Sequence, residues 1–358
     1  MKRFTLLAMV TPPPPHSTDS TKLPVSSTSL IAVVFILVIS PLLRQATGET
    51  TDATQHPDLL QPNSRILFLG DSITQNGTYI AYIDAYLYTH FPNDAFDIVN
   101  LGLGSETASG DSEPDHPFPR PCVHTRLDKI LAEVQPDVVF ACYGMNDGIY
   151  YPLGEERFKN YRKGIRNLVK KCETAGATVV LLTPPPFDAP SKTLKGATLL
   201  PDGEEKYSYK EAYQDYDDVL AAYGDFIMKQ DVAHAIDLHE PLTEYISRNR
   251  KADPDFSSGD GIHPNPAGHY IIAKTILEDL NAPNLENLPD YPDLNPSHPL
   301  APALNAITDR RRNHSAAWRE HIGHSRPKKT KAPPLPEAKE IAARQDTEIR
   351  KMIASPTQ

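Results

Sequence analysis

The chain has few cysteines, one tryptophan, a shortage of positive charge and no apolar run long enough for an easy membrane span. Cys122, Cys142 and Cys172 are the 3 cysteines among 358 residues, too few and too scattered for a disulfide framework. This excludes the small stapled secreted folds. Cys142 lies in an apolar, strand-like run, where a buried free thiol is expected. The 36 Lys and Arg stand against 46 Asp and Glu, a net charge of −10. Residues 300–358 carry 12 Lys and Arg and 6 Asp and Glu, which leaves −16 for the rest of the chain. An acidic body argues against nucleic acid as the main partner. The basic charges of the tail are interrupted by acids and read as solvated helix faces. Two glycine signatures are missing as well. Thr107 breaks the G-x-G-x-x-G spacing after Gly102 and Gly104, and Thr74 breaks the G-x-S-x-G elbow around Ser72. No internal repeat is evident. Proline, by contrast, is plentiful at 35 residues, which implies extended or tail-like portions.

The most apolar stretch, "LIAVVFILVISPLL" (30–43), is short for a membrane span. Lys2, Arg3 and Lys22 precede it, and Ala46 and Gly48 follow it as a small-x-small site. Residues 1–48 therefore read as a signal peptide, with Met9 as a candidate start after the unusual polar lead. The alternative is an uncleaved signal anchor. Either reading puts the folded part outside the cytoplasm, secreted or periplasmic, with no stable membrane partner unless the signal is retained. Residues 49–63 read as a flexible N-terminal segment.

Beyond residue 60, "RILFLG" (65–70), "FDIVNLG" (96–102), "DVVFACYG" (137–144), "ATVVLLTPPP" (177–186) and "AHAIDL" (233–238) are apolar runs rich in β-branched residues. Helical stretches lie near 78–90, 122–134, 155–175 and 210–230, with 266–280 after the last strand. Near-continuous apolar strands alternating with helices predict an α/β fold, a five-stranded parallel sheet covered on both faces in a flavodoxin-like three-layer arrangement. Ligands in such sheets bind at the carboxyl ends of the strands. The Pro/Asn-rich stretch 281–300 reads as a linker, so the body spans 64–282 and residues 283–358 form a linker and a helical basic extension.

The strand ends carry chemistry. Gly70-Asp71-Ser72 makes a sharp turn that can expose a hydroxyl. Asn100, Gly102 and Gly104 bring backbone N–H groups to the same rim, and "CYGMNDG" supplies Asn146 and Asp147. In "SSGDGIHPNPAGH" (257–269), Pro264 pushes His263 to an extended conformation, and Asn265 with Pro266 starts a helix. Asp260 and His263 thus share a tight loop, which Gly259 and Gly261 allow to fold sharply. Each feature alone is ordinary turn chemistry. Together they are the parts of an acyl-transfer site: nucleophile, oxyanion donors, base and an orienter for the base.

In these four blocks, taken in order, the chain resembles the SGNH hydrolases, also called the GDSL esterase family, and most of all its secreted bacterial members associated with polysaccharide use. The resemblance spans about residues 64–282. It implies a catalytic set of Ser72, Asp260 and His263 and an oxyanion hole built from Ser72, Gly104 and Asn146. No cofactor or metal is implied, and a zinc site from His263 and His269 lacks ligand spacing. Glu106, after Gly104-Ser105, departs from the shorter polar residue of many relatives.

We assign Asp71, Tyr143, Asp147 and Pro185 to the substrate mouth. "TPPPFD" (183–188) forms a stiff wall, and Tyr143, Tyr150 and Tyr151 either face a sugar ring or simply pack. Residues 188–210 read as a flexible flap. The expected function is removal of small acyl groups such as acetyl from a glycan or small-molecule ester. A lysophospholipase or thioesterase is the alternative enzyme, and a silent carbohydrate-binding protein is the non-enzyme alternative. In the tail, Leu304, Ile307, Arg311, His314, Trp318 and Ile322 form one helical stripe, which predicts that helix 302–322 docks with Trp318 as anchor. Residues 325–358 are expected to be mobile or to cross the body loosely, so that truncation after Ser325 changes neither activity nor melting temperature.

Overall fold

The computed structural model describes residues 55–285 and 300–354. The run 30–43, the small residues Ala46 and Gly48 and the linker positions 286–299 lie outside the described residues. Among the described residues, no helix is long and apolar enough to cross a membrane.

The strands in chain order are β1 (Arg65–Gly70), β2 (Asp97–Asn100), β3 (Val138–Cys142), β4 (Thr178–Leu182), β5 (Thr198–Leu200), β6 (Glu211–Tyr213) and β7 (His234–Ile236). The central sheet has the order β2-β1-β3-β4-β7, and all its pairs are parallel. This is the flavodoxin-like order. β3 reads VVFAC and is buried along its whole length, as a strand covered on both faces must be. In register, Gly70 pairs with Cys142, Cys142 with Leu182, and Leu182 with Ile236. The carboxyl ends of four strands are therefore level and form one rim.

The helices are α1 (Ser72–Asn76), α2 (Thr78–His90), α3 (Leu127–Val134), α4 (Glu155–Thr174), α5 (Ala189–Leu194), α6 (Tyr216–Ile227), α7 (His239–Ala252), α8 (Pro266–Asp279), α9 (Ala301–Ile322) and α10 (Leu335–Ala354). α2 packs with α8 and α9, and α3 packs with α4. Tyr161 and Phe158 of α4 stack on Tyr223 of α6 at 4.1 and 5.2 Å. α9 lies against the sheet's edge strand β2, where Arg311 Nη1 donates to the Ile98 carbonyl at 2.5 Å. Packing a helix against an edge strand in this way is one means of covering it. The same guanidinium pairs with buried Asp84 through Nε at 2.5 Å, and Trp318 is buried with the Lys339 ammonium of α10 4.7 Å from its ring centre.

Three segments differ from their reading in the sequence. Residues 55–63 are tied down rather than loose: Leu60 is fully buried, and Asn63 N donates to Ala95 O at 2.8 Å. The 188–210 stretch is built around α5 and the parallel β5–β6 pair, with Tyr207 buried. The tail beyond Ser325 is not loose either, because α10 packs along α9 and buries Leu335, Ala338, Ala342 and Ile349. Its other faces are polar, and that is why the sequence pattern reads as a helix with little to bury. Tyr88 OH donates to Asp346 at 2.5 Å and fastens α10 to α2.

Docking of α10 has a measurable consequence. Ile349→Ala empties a fully buried position and is expected to cost about 2–4 kcal/mol of unfolding free energy. Met352→Ala, on the exposed side of the same helix, stays within about 0.5 kcal/mol. Equal small effects in denaturant titrations would show that α10 is not docked.

Candidate active site

Asp71 ends the turn after β1 and caps α1, accepting from Ile73 N at 2.9 Å. Ser72 is thereby the first residue of α1, where backbone N–H groups have no helical partner. On the far side of the rim, Asn265 caps α8 by accepting from Gly268 N at 2.8 Å, and Pro266 fills the first helical position. The loop before this cap is very tight, since a Cβ at Gly259 would collide with the His263 carbonyl oxygen. Asp188, at the exit of β4, clamps that loop. It accepts from Ser258 Oγ at 2.6 Å and from Arg250 Nη2 at 2.7 and 2.8 Å, and its N–H donates to Gly261 O at 2.9 Å.

These two constructions meet. His263 Nε2 lies 2.7 Å from Ser72 Oγ, and His263 Nδ1 lies 2.8 Å from Asp260 Oδ2. Asp260 Oδ1 accepts from the N–H groups of Ile262 and His263 at 2.9 and 2.7 Å. Burial opposes ionisation of Asp260, but these hydrogen bonds and the imidazole outweigh it and hold the carboxyl well below the usual carboxylate range. For His263, burial alone would lower the pKa. The hydrogen bond and charge of Asp260, with a further contribution from Asp71, override it and raise the value above the ordinary 6.5. The geometry can pass a proton from a hydroxyl to an imidazole whose other nitrogen faces a carboxylate.

Gly104 and Asn146 share a cavity of about 330 Å³ with Ser72 and His263. The Gly104 N–H donates to Gln75 Oε1 at 2.5 Å. The Asn146 Oδ1 accepts from Arg120 Nη1 at 2.8 Å and Tyr150 OH at 3.3 Å, which settles the amide's orientation and turns Nδ2 toward the Glu106 carbonyl at 3.3 Å. Arg120 is itself held by buried Glu113 at 2.5 and 2.6 Å. A larger cleft of about 480 Å³ lies between α5 and α7, away from Ser72.

The residues assigned to the mouth are elsewhere. Asp71, Tyr143, Asp147 and Pro185 are buried and do not line the cavity. Asp71 is engaged as the α1 cap, and burial pushes its pKa up to about 6. Tyr143 donates to Glu106 Oε2 at 2.7 Å beneath the rim. Asp147 accepts from the N–H groups of Ala108 and Ser109 at 2.8 and 2.7 Å, with its pKa pushed up to about 7 by burial. Pro185 is packed in the segment leaving β4. Glu106 is buried and pairs with Arg126 at 2.6 and 2.7 Å, so it supports the turn rather than shaping the pocket. Of the tyrosines, Tyr150 reaches the cavity, whereas Tyr151 packs on Tyr207 at 5.0 Å. His269 is buried and stacked with Tyr79 at 6.1 Å.

Phe118, Arg120, Tyr209 and Arg326 line the cavity and escape the sequence reading. Phe118 and Arg120 sit in a long irregular connection without periodicity, although "PFPRPC" (117–122) is a stiff stretch that flags it. Nothing in the tail's own pattern connects Arg326 to a site whose other residues lie between Ser72 and His263.

The sequence profile of the GDSL-like lipase/acylhydrolase family matches residues 68–271, more than half of the chain. An acetylxylan esterase of Geobacillus stearothermophilus is 22% identical over 237 residues, covering 60% of this chain and 93% of that protein. A solved structure of an acetylxylan esterase from the same organism aligns with 20% identity and a TM-score of 0.43, over 62% of this chain and 95% of that one. A gut microbial diltiazem-metabolizing enzyme aligns with 22% identity and a TM-score of 0.49, and this chain, 64% of which is aligned, spans only 49% of it. With the family's profile covering both strand-end blocks and the Asp260–His263 loop, the chain belongs to the GDSL-like lipase/acylhydrolase family and is an ester-bond hydrolase.

Proposed function

We propose that the chain is a serine esterase that removes small acyl groups, acetyl above all, from carbohydrate. The observation that carries this reading is the Ser72–His263–Asp260 relay, with contacts of 2.7 and 2.8 Å. In the proposed reaction His263 Nε2 takes the Ser72 proton as Oγ bonds to the acyl carbon, and the carbonyl π electrons move to oxygen. The oxyanion is met by the N–H groups of Ser72 and Gly104 and by the Asn146 amide, a stabilisation that typically carries on the order of 100-fold or more in rate per donor. Gln75 Oε1 occupies the Gly104 N–H at 2.5 Å, so its side chain swings aside as substrate enters. Collapse breaks the bond to the alcohol oxygen, which takes the proton from His263. Water then gives a proton to His263 as its oxygen bonds to the acyl carbon. When this second intermediate collapses, the Ser72 Oγ–acyl bond breaks and Oγ takes that proton back from His263, leaving free Ser72, neutral His263 and the carboxylic acid.

The cavity supports a small acyl group on a polar alcohol. Its volume of about 330 Å³ is at the low end for ligand pockets, and its rim is built from His116, Arg120, Tyr150, Tyr209 and Arg326. A long acyl chain needs more room than this cavity of about 330 Å³ gives beside Ser72. The 22% identical acetylxylan esterase supports the same reading.

Ser72→Ala is expected to lose about 10⁴-fold or more of kcat/KM on 4-nitrophenyl acetate while melting as the wild type does. Near wild-type turnover by the folded variant would refute the mechanism. A second expectation concerns pH. His263 must be neutral to accept the Ser72 proton, and its pKa is raised by Asp260. kcat/KM therefore rises with pH along a limb centred above 6.5 and reaches its plateau on the alkaline side. Asp260→Asn removes the raising charge, so it shifts the residual limb to lower pH and cuts the rate by about 100-fold or more. A limb that stays in place in Asp260→Asn would contradict the assignment.

A further inference from the structure

The cavity has no acid in its wall: among the described residues, neither Asp nor Glu lines it, although the chain carries 46 of them. Its cations are unequal. Arg120 is neutralised by Glu113, and His263 faces Asp260. His116 is kept toward its neutral form, first by burial and then by the nearby Arg120 and Arg326. Arg326 is different. Among the described residues no carboxylate oxygen lies within 4 Å of it, and its buried Nε has no hydrogen-bond partner. Its guanidinium stands 5.5 Å from the centre of the Phe118 ring, and a Cβ at Gly104 would be 2.6 Å from its Nη1. Desolvation is the cause that lowers its pKa. A half-buried cation with no counter-charge is costly unless something supplies one.

The placement is built. Lys129 Nζ donates to the carbonyls of His321 and Ile322 at 2.8 and 3.0 Å, which fixes the end of α9. Gly323 turns the chain at φ +84°. Lys329 Nζ then donates to His324 O at 2.6 Å, and Thr330 N to Glu320 Oε1 at 2.8 Å, closing a loop that carries Arg326 across to the cavity. The tail thus contributes to the site instead of leaving it untouched.

We propose that Arg326 is a specificity-determining residue for substrates whose alcohol part carries a carboxylate close to the scissile ester, an acidic sugar being the chemistry that fits. The inference rests on the esterase reading above. A planar guanidinium offers paired donors matched to a carboxylate, and this one lies over the Phe118 ring.

The test compares 4-acetoxybenzoate with its neutral isostere 4-acetoxybenzamide in wild type, Arg326→Gln and Arg326→Lys, full-length and with melting temperatures recorded. Arg326→Gln is expected to lower the anionic-to-neutral ratio of kcat/KM by about ten-fold or more, mainly through KM. Arg326→Lys restores part of the ratio, and high salt erodes the wild-type preference. Calorimetric titration with methyl β-glucuronoside and methyl β-glucoside reads the same subsite without turnover, and the wild type's preference for the charged glycoside should vanish in Arg326→Gln. An unchanged ratio, or equal losses on both esters through kcat, would overturn the proposal, the second because Arg326 would then act on the oxyanion. If the wild type hydrolyses neither ester, the esterase reading fails, and the titration alone decides on the carboxylate subsite.

Discussion

The 2.7 Å contact between Ser72 Oγ and His263 Nε2 joins residues 191 positions apart, and the rest of the architecture serves to hold that distance. A hydrogen bond of this kind weakens steeply with small errors in length and angle. One partner is set by the end of β1 and the Asp71 cap, the other by the Asn265 cap and the Asp188 clamp. Both ends are fixed by short polar contacts to backbone, so neither depends on a free side chain finding its place. The level strand ends matter for the same reason: a parallel sheet in common register puts the turn after β1, the Asn146 loop and the segment after β4 on one rim.

Beneath that rim lies a layer of buried charge. Glu106–Arg126 and Glu113–Arg120 are ion pairs with almost no exposed side-chain surface. Buried pairs of this type rarely add net stability, because desolvation offsets their attraction, but removing one partner costs about 3–5 kcal/mol. Their use here is positional. Arg120 reaches from Glu113 to the Asn146 oxygen and so decides which end of that amide is its nitrogen. Tyr143 and Arg126 meet on Glu106 and hold the turn that carries Gly104. Among the described residues no acid lines the cavity above, so a protein with net charge −10 presents a locally cationic site there.

The sheet was legible in the sequence because strands buried on both faces are apolar at every position, a pattern independent of what packs against them. The Asp260–His263 loop was legible because caps and pre-proline geometry are local. What depended on distant partners was not. Tyr143 and Asp147 stand beside the motif residue Asn146 in sequence, yet the neighbouring chain turns them inward to Glu106 and to the Ala108–Ser109 backbone. α10 shows only a thin apolar stripe, sufficient because α9 and α2 supply the rest of the contact. Arg326 is indistinguishable in "SRPKKTK" from the lysines around it, and only the loop after α9 singles it out.

The most direct test of a nucleophile set by this relay is its reactivity toward an electrophile that needs no substrate recognition. The native protein is treated with diisopropyl fluorophosphate and read by intact mass and peptide mapping. The account predicts one phosphoryl adduct on the peptide containing Ser72, formed quickly by the wild type and slowly or not at all by His263→Ala. An unlabelled Ser72 in folded protein, or an adduct that forms equally well without His263, would contradict it.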